Sequence, residues 1–339
     1  MLTALYTILV FCLIIAIHEF GHFAFAKLSK MTVHEFSIGM GTRLFGFKKN
    51  GTEYNFRLFP IGGFVKLEGE DEESDDPNAF GNKKPWQRLV VLAAGAFMNF
   101  VLGFLIFVII SSFSSGFTSN VVGNVIESSA FDKAGVKTGD VIISMEGENY
   151  KSKIHDYNDI SYFTYKNGNN AATITFERDG EITKKRISPS YLESEKRTLF
   201  GFSPKVFEPS VSRIIIAAYR QSIFVVKVVV FSFADMIKGN VGVADMSGPV
   251  GIVNEIGTAA KNGFLNVLYL AALISINLGV VNLLPIPALD GGRIIFVLIE
   301  FIRRKPIDKN KEGMVHLIGF ALLLILMITI TYTDIVKLI

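Results

Sequence analysis

Cysteine is nearly absent from this 339-residue chain. Cys12 stands alone, so no intramolecular disulfide can form and no thiolate-based zinc site can be built. Charge is scarce too, at 19% of residues against about a quarter in an ordinary soluble domain. The charges nearly balance, 34 basic against 31 acidic, and no dense Lys/Arg tract stands out, which gives no reason to invoke nucleic acid. Half of the chain is hydrophobic, and those residues gather in blocks rather than being interrupted every few positions. A wholly soluble, a disordered and a collagen- or repeat-like protein are excluded. Any metal must be held by histidine and carboxylates.

Three blocks, residues 5–25, 89–112 and 264–284, are long enough to cross about 30 Å of hydrocarbon, which takes about 20 helical residues. A fourth, 315–330, is slightly short but unbroken by charge. The first lacks a preceding basic region and a small-residue cleavage site, and Lys27 and Lys30 follow it, so it reads as a span and not a signal peptide. Basic residues crowd between the first and second spans, from Lys27 to Arg88, and between the third and fourth, from Arg293 to Lys311. Both loops should therefore be cytoplasmic, with the long stretch of residues 114–265 and both termini outside.

Residues 119–207 read as a small external domain, with short β-type runs separated by turn signals such as Asp179-Gly180. The piece from Ala130 to Ile142, with Gly135 and Gly139-Asp140 in it, resembles the helix–turn–strand signature of bacterial PDZ domains. Residues 211–237 are apolar enough to tempt a further span. Arg213, Arg220, Gln221, Lys227 and Asp235 interrupt them, and a fifth crossing would invert the basic loop that follows. They are expected to lie as an amphipathic helix on the outer membrane surface. The expected organisation is a polytopic α-helical membrane protein with four transmembrane helices. The first span takes residues 1–29, a cytoplasmic, membrane-dipping β-type loop 30–88, and the second span 89–113. The inserted α+β PDZ-like domain takes 119–207, and the interfacial helix with its linker 208–263. The third span runs over 264–292, a cytoplasmic loop over 293–314, and the fourth span over 315–333.

The first span ends in His18-Glu19-Phe20-Gly21-His22. Helix positions four apart are separated by about 40° around the axis and about 6 Å along it, so His18 and His22 share a face. Two imidazoles so placed can hold one zinc ion, and Glu19 beside them can act as general base toward a water that the ion activates. Chance placement is disfavoured by depth, since an ionisable group inside a span costs about 2.5–3.5 kcal/mol on insertion scales. A catalytic zinc needs a third ligand, which here must be His, Asp or Glu. The third span runs into Asn282-Leu-Leu-Pro285-Ile-Pro287-Ala-Leu-Asp290-Gly-Gly-Arg293, where the prolines stop a regular helix. Alone, Asp290-Gly291-Gly292 would be a helix-terminating turn; at a depth matching His22 it is a candidate ligand. His34, His155 and His316 are poorer candidates, the last alone at the start of the fourth span.

These motifs, with Ser247-Gly-Pro-Val-Gly-Ile252 and the PDZ-like insert, resemble the site-2 protease family of intramembrane zinc metalloproteases, in its bacterial regulator-processing branch, over nearly the whole chain. The resemblance implies one zinc ion held by His18, His22 and Asp290, Glu19 as general base, and Asn282 holding the substrate backbone. It places Gly62 and Gly63, within Phe59-Pro-Ile-Gly-Gly-Phe-Val-Lys66, on a β-loop dipping toward the membrane, and extends substrate contact to them and to Pro285 and Pro287. It implies a bacterial plasma-membrane location with the site near the cytoplasmic side. The partners implied are the bilayer and single-span membrane proteins already trimmed by another protease, of the anti-sigma-factor or remnant-signal-peptide type. Gly95-Ala96-Phe-Met-Asn99 departs from the family's Gly-Pro-x-x-Asn at Ala96. Some relatives carry two PDZ domains, and this chain has room for one. Two other readings stand beside the protease: an inert PDZ-bearing scaffold with a structural metal, and a metal transporter, although no repeated halves are visible.

Overall fold

A computed structural model describes residues 2–148, 150–193, 196–240, 242 and 246–338. In chain order the elements are α1 (Leu2–Leu28), β1 (Val33–Lys49), β2 (Thr52–Leu67), α2 (Pro85–Ser112), β3 (Phe117–Val125), α3 (Ala130–Lys133), β4 (Val141–Glu146) and β5 (Lys151–Lys153). There follow α4 (Tyr157–Asn167), β6 (Ala172–Arg178), β7 (Glu181–Ile187), β8 (Ser190–Leu192), β9 (Arg197–Leu199) and β10 (Phe202–Phe207). The chain closes with α5 (Val211–Ile237), α6 (Pro249–Lys261), α7 (Phe264–Asn282), α8 (Asp290–Arg303) and α9 (Lys309–Leu338). Two compact units result, Met1–Ile110 with Ala218–Ile339, and Ser111–Ala217.

Among the described residues five helices, α1, α2, α5, α7 and α9, are long and apolar enough to cross a membrane, where the sequence reading gives four. The additional one is α5, which its charges do not break. Arg and Lys are good helix formers, and Arg213, Arg220 and Lys227 recur every seven residues, a drift of only about 20° per step, so they form one stripe beside a continuous apolar surface. Two boundaries also differ from expectation. α7 stops at Asn282, and Asp290 opens a new helix, α8, through the first half of what reads as the 293–314 loop. The segment's basic residues suggest a loop, but Ile294 and Val297 pack against Ala26, Val91 and Leu92, and that burial is what a helical face supplies.

In the first unit α2 is the central helix. Pro85 begins it, where a missing N–H costs nothing, and it runs unbroken through Ala96, which is fully buried. Its Ile106 and Phe107 join Val10 and Ile14 of α1 and Val267, Ala272 and Ile276 of α7 in one apolar cluster. Ser275 Oγ donates to the Asn99 carbonyl at 2.9 Å, tying α7 to α2.

The β1–β2 ribbon turns at Asn50-Gly51, both at positive φ (50° and 80°), as a tight hairpin turn requires. It is irregular, because Ile38 pairs with Gly63 on one side and with Phe56 on the other. A buried polar knot fixes it: the Glu35 carboxylate accepts from Ser37 Oγ (2.5 Å), Asn55 Nδ2 (2.6 Å) and Arg57 Nη2 (2.5 Å).

A remote carboxylate organises the segment before α7. Asp334 of α9, 4% exposed, accepts the Gly251 N–H at 2.8 Å and so satisfies a donor in the first turn of α6. The glycines of Ser247-Gly-Pro-Val-Gly have their reason here, since a Cβ at Gly248 would sit 2.8 Å from Asp334 Oδ2. Asp334→Ala is expected to cost about 1 kcal/mol, the usual value of a lost cap, lowering Tm in detergent by a few degrees. Asp334→Asn, still an acceptor, should lose less, and equal melting of all three proteins would disprove the cap.

The second unit is a sheet of order β10-β3-β4-β6-β7, with β5 beside β4. Asp179-Gly180 forms the β6–β7 hairpin turn that its sequence suggests. Val122, Phe131, Ile142, Met145, Phe163 and Ile174 fill its core, which α3 and α4 help to close. Asp156 caps α4 by accepting from Asn158 N at 2.9 Å. Asp140 is buried, which opposes ionisation, but two 2.6 Å bonds from Arg178 and the Lys137 N–H hold its carboxyl below the usual range.

Candidate metal centre

α1 delivers His18 and His22 to one face, with ring centroids 4.8 Å apart and planes at 82°. Their Nε2 atoms are 3.2 Å apart, and Asp290 Oδ2 at the start of α8 lies 3.3 Å from the first and 3.4 Å from the second. Three donors on a tetrahedral centre with bonds of about 2.0–2.1 Å are separated by about 3.3–3.4 Å. The three atoms thus already stand at the vertices that one zinc ion would impose, and they form the His/Asp cluster found among the described residues.

The outer ring nitrogens show how this triangle could hold a cation. His22 Nδ1 lies 2.9 Å from the Val91 carbonyl, which can only accept, so Nδ1 carries the proton and Nε2 presents a lone pair toward Asp290. Asp290 Oδ2 is itself buried with no hydrogen-bond donor on it. Lone pairs facing a buried carboxylate oxygen repel unless positive charge sits between them. His18 Nδ1 faces the Asn99 amide at 3.3 Å, and Asn99 Oδ1 is buried and unbonded. Turning that amide over lets Oδ1 accept from His18 Nδ1–H, which frees Nε2 for the metal.

Both supports come from α2. Val91, Gly95 and Asn99 are four residues apart and share a face, with Gly95 between the two partners. A Cβ at Gly95 would lie 2.3 Å from His22 Nε2 and 2.6 Å from His18 Cε1. Sequence reading quotes Gly95 and Asn99 without giving them this work. The available signal is a lone Asn in an apolar span with a glycine one turn before it.

Of the other expected site residues, Glu19 lines the same cavity of about 730 Å³ as His18, His22 and Asp290. Gly63 lies against Glu19, where a Cβ would come within 2.9 Å of the Glu19 Cγ, so β2 passes the site with its backbone. Asn282, the last residue of α7, places Nδ2 3.4 Å from His18 Nε2. Gly62 faces Met40, Pro287 packs on Gly319 of α9, and neither these nor Pro285 lines the cavity.

The acidic run Glu68, Glu70, Asp71, Glu72, Glu73, Asp75 and Asp76 after β2 has the composition of a solvated cytoplasmic loop, yet three of its members, Glu70, Asp71 and Glu72, line the cavity. Arg293 pairs with Glu70 and, at 2.9 Å, with Asp71, while Lys309 Nζ donates to the Glu70 carbonyl at 2.8 Å. Burial pushes the Glu70 carboxyl up, against the opposing pull of Arg293.

A pair of histidines one helical turn apart, a glutamate between them and an aspartate from a distant helix, set among apolar helices, define a membrane-embedded metalloprotease. The chain belongs to peptidase family M50, the site-2 proteases, whose sequence profile matches residues 6–326. A Clostridium acetobutylicum protein named as a zinc metalloprotease is 41% identical over 330 residues, covering 97% of this chain and 96% of the relative. The Bacillus subtilis regulator of sigma-W protease RasP is 30% identical over 422 positions, and the Bacillus licheniformis zinc metalloprotease RasP 31% over 420, each covering 99% of both chains. The protein is a zinc-dependent, multi-pass membrane metalloprotease, which sets aside the scaffold and transporter readings.

Proposed function

We propose that this protein cleaves a peptide bond within or beside the transmembrane helix of single-span membrane proteins, with His18, His22 and Asp290 as the zinc ligands. The observation that carries the reading is the triangle of donor atoms at 3.2, 3.3 and 3.4 Å, set between apolar helices. Zinc bound there supplies Lewis-acid polarisation of the scissile carbonyl and of water. Glu19 takes the proton of the attacking water and returns it to the leaving amine nitrogen. The Asn282 amide positions the substrate backbone.

A helical substrate hides its carbonyls in internal hydrogen bonds and must unwind to present one. The β2 backbone at Gly62-Gly63, of which Gly63 lies beside Glu19, is suited to hold the opened segment by strand pairing. The apolar side chains that the ribbon exposes, among them Phe45, Phe47 and Phe59, suit contact with lipid. The basic loops put the site near the cytoplasmic side of a bacterial plasma membrane and the second unit outside.

That second unit is read as a PDZ domain that screens substrates trimmed beforehand by another protease. In support, β10 is an edge strand, and a cavity of about 350 Å³ lies between Phe200-Gly201-Phe202 and the Tyr157–Ile160 turn of α4, as strand-addition peptide binding requires. The basic stripe of α5 suits a helix lying on the outer surface, which keeps the crossings at four. The B. subtilis relative is named for sigma-W regulation, which favours anti-sigma-factor-type substrates over remnant signal peptides.

The test uses the purified chain in liposomes with a single-span reporter. Chelation should abolish cleavage, one equivalent of zinc should restore it, and mass spectrometry should place the cut in the reporter's apolar segment. Cleavage by metal-free protein, or cuts confined to the soluble part of the reporter, would overturn the reading.

A further inference from the structure

α9 turns most of its surface outward: Leu317, Ile318, Phe320 and Leu322 are all exposed. His316 and Glu312 are exceptions, with side chains 16% and 15% exposed. His316 packs beside Phe296 of α8, ring centroids 5.5 Å apart, and its Nδ1 accepts the backbone N–H of Ala288 at 2.8 Å. Ala288 lies two residues before Asp290, in the break between α7 and α8. Sequence reading sets His316 aside as a lone histidine.

That break is short of backbone donors, because Pro285 and Pro287 have none. Leu283, Leu284, Ile286 and Leu289 direct their N–H groups to carbonyls within the chain's own turn, at 3.1, 3.0, 2.7 and 3.2 Å. Among the described residues, Ala288 is the one member of the turn whose N–H goes to the side chain of another helix. Ala288 also sits at φ +75°, a left-handed conformation that a residue with a Cβ adopts only when its surroundings impose it. One turn along α9, Gly319 lets the helix close onto the same place, since a Cβ there would fall 2.4 Å from Pro287 Cβ and 2.7 Å from its carbonyl oxygen. The N–H of Ala288 can only donate, so His316 Nδ1 is unprotonated and its proton is on Nε2, on the side of Glu312 Oε1 4.0 Å away.

We infer that His316 is a positioning residue: by accepting the Ala288 N–H it holds the left-handed turn that aims Asp290 at the metal. The inference rests on the assignment of Asp290 as a zinc ligand. On its other side the imidazole makes no hydrogen bond, with Glu312 Oε1 4.0 Å from Nε2, so the Ala288 N–H is the contact through which the ring meets the turn. His316 is not one of the three donors and does not line the cavity.

The experiment compares wild type with His316→Ala, His316→Asn and His316→Gln, each purified in detergent. Asn carries its Oδ1 where Nδ1 stands, whereas the Gln Oε1 reaches the position of Nε2 and cannot meet Ala288. Three quantities are read: the rate of zinc loss to a competing chelator, the visible spectrum of the cobalt-substituted protein, and kcat and KM for a single-span reporter. His316→Ala and His316→Gln should lose zinc about 10–100-fold faster, with an altered cobalt spectrum and a lowered kcat at near-constant KM. His316→Asn should return to within a few-fold of wild type in all three. Wild-type zinc retention and spectrum in the Ala variant overturn the inference, as does equal behaviour of Asn and Gln, a contrast that still decides if the Ala variant fails to fold. Asp290→Asn is run alongside: if it holds zinc as tightly as wild type, the ligand assignment itself falls and the inference with it.

Discussion

Glu19→Gln is expected to retain zinc at the wild-type stoichiometry and to lose cleavage by roughly 10²–10⁴-fold, the usual worth of a positioned general base. Gln has the shape of Glu but cannot take a proton from water, so the substitution removes one chemical step and nothing else. The donor triangle of His18, His22 and Asp290 does not include Glu19. The variant should therefore melt like wild type, give an unchanged cobalt spectrum and still bind the single-span reporter. Metal content and turnover measured on one preparation separate the outcomes: cleavage within a few-fold of wild type would remove Glu19 from the chemistry, and loss of zinc together with activity would make it a ligand.

Gly95→Ala is expected to abolish both zinc retention and cleavage although it adds a single methyl to a helix. That methyl would arrive 2.3 Å from His22 Nε2 and 2.9 Å from His18 Nδ1, between the two imidazoles and the helix that holds their outer nitrogens. Neither ring can yield freely, since His22 is bound to the Val91 carbonyl and His18 faces Asn99 on the same helix. The helices must therefore part, and misplacement of about 1 Å at a reacting centre costs about 100-fold in rate. Gly103→Ala is the control. Its methyl would meet the end of the Ile276 side chain, away from the donors, so it should lower Tm while sparing zinc. Wild-type zinc affinity in Gly95→Ala would show that the imidazole pair does not depend on this close approach.

The two variants mark how much of the site can be read in the sequence. Glu19 and its flanking histidines are legible because helix periodicity is local, and an i, i+4 pair needs no knowledge of the rest of the fold. Asp290 is legible as a motif, but not as the first residue of a separate helix; that depends on α8 burying Val297 against α1 and α2. The work of Gly95, Val91 and Asn99 is not legible because they act across a helix–helix contact, and the register between two helices is not written in either one alone. α5 illustrates the converse. The helix itself is as expected; what its charge count hides is the seven-residue spacing of Arg213, Arg220 and Lys227, which gathers them on one face and leaves the rest apolar. The acidic run misleads for a similar reason: seven carboxylates suggest solvation, while the Arg293 that binds two of them lies more than 200 positions further on.

The donors of the metal centre come from opposite ends of the chain, His18 and His22 near the start and Asp290 close to the last helix. In chain order the first two donors precede the third by more than 260 residues. The half-made chain would carry the protease signature in its opening helix with two of the three donors. If Asp290 completes the donor set and His316 holds the turn ahead of it, the site can be assembled only after α9 has been made, so the last helix of the chain would finish what the first begins.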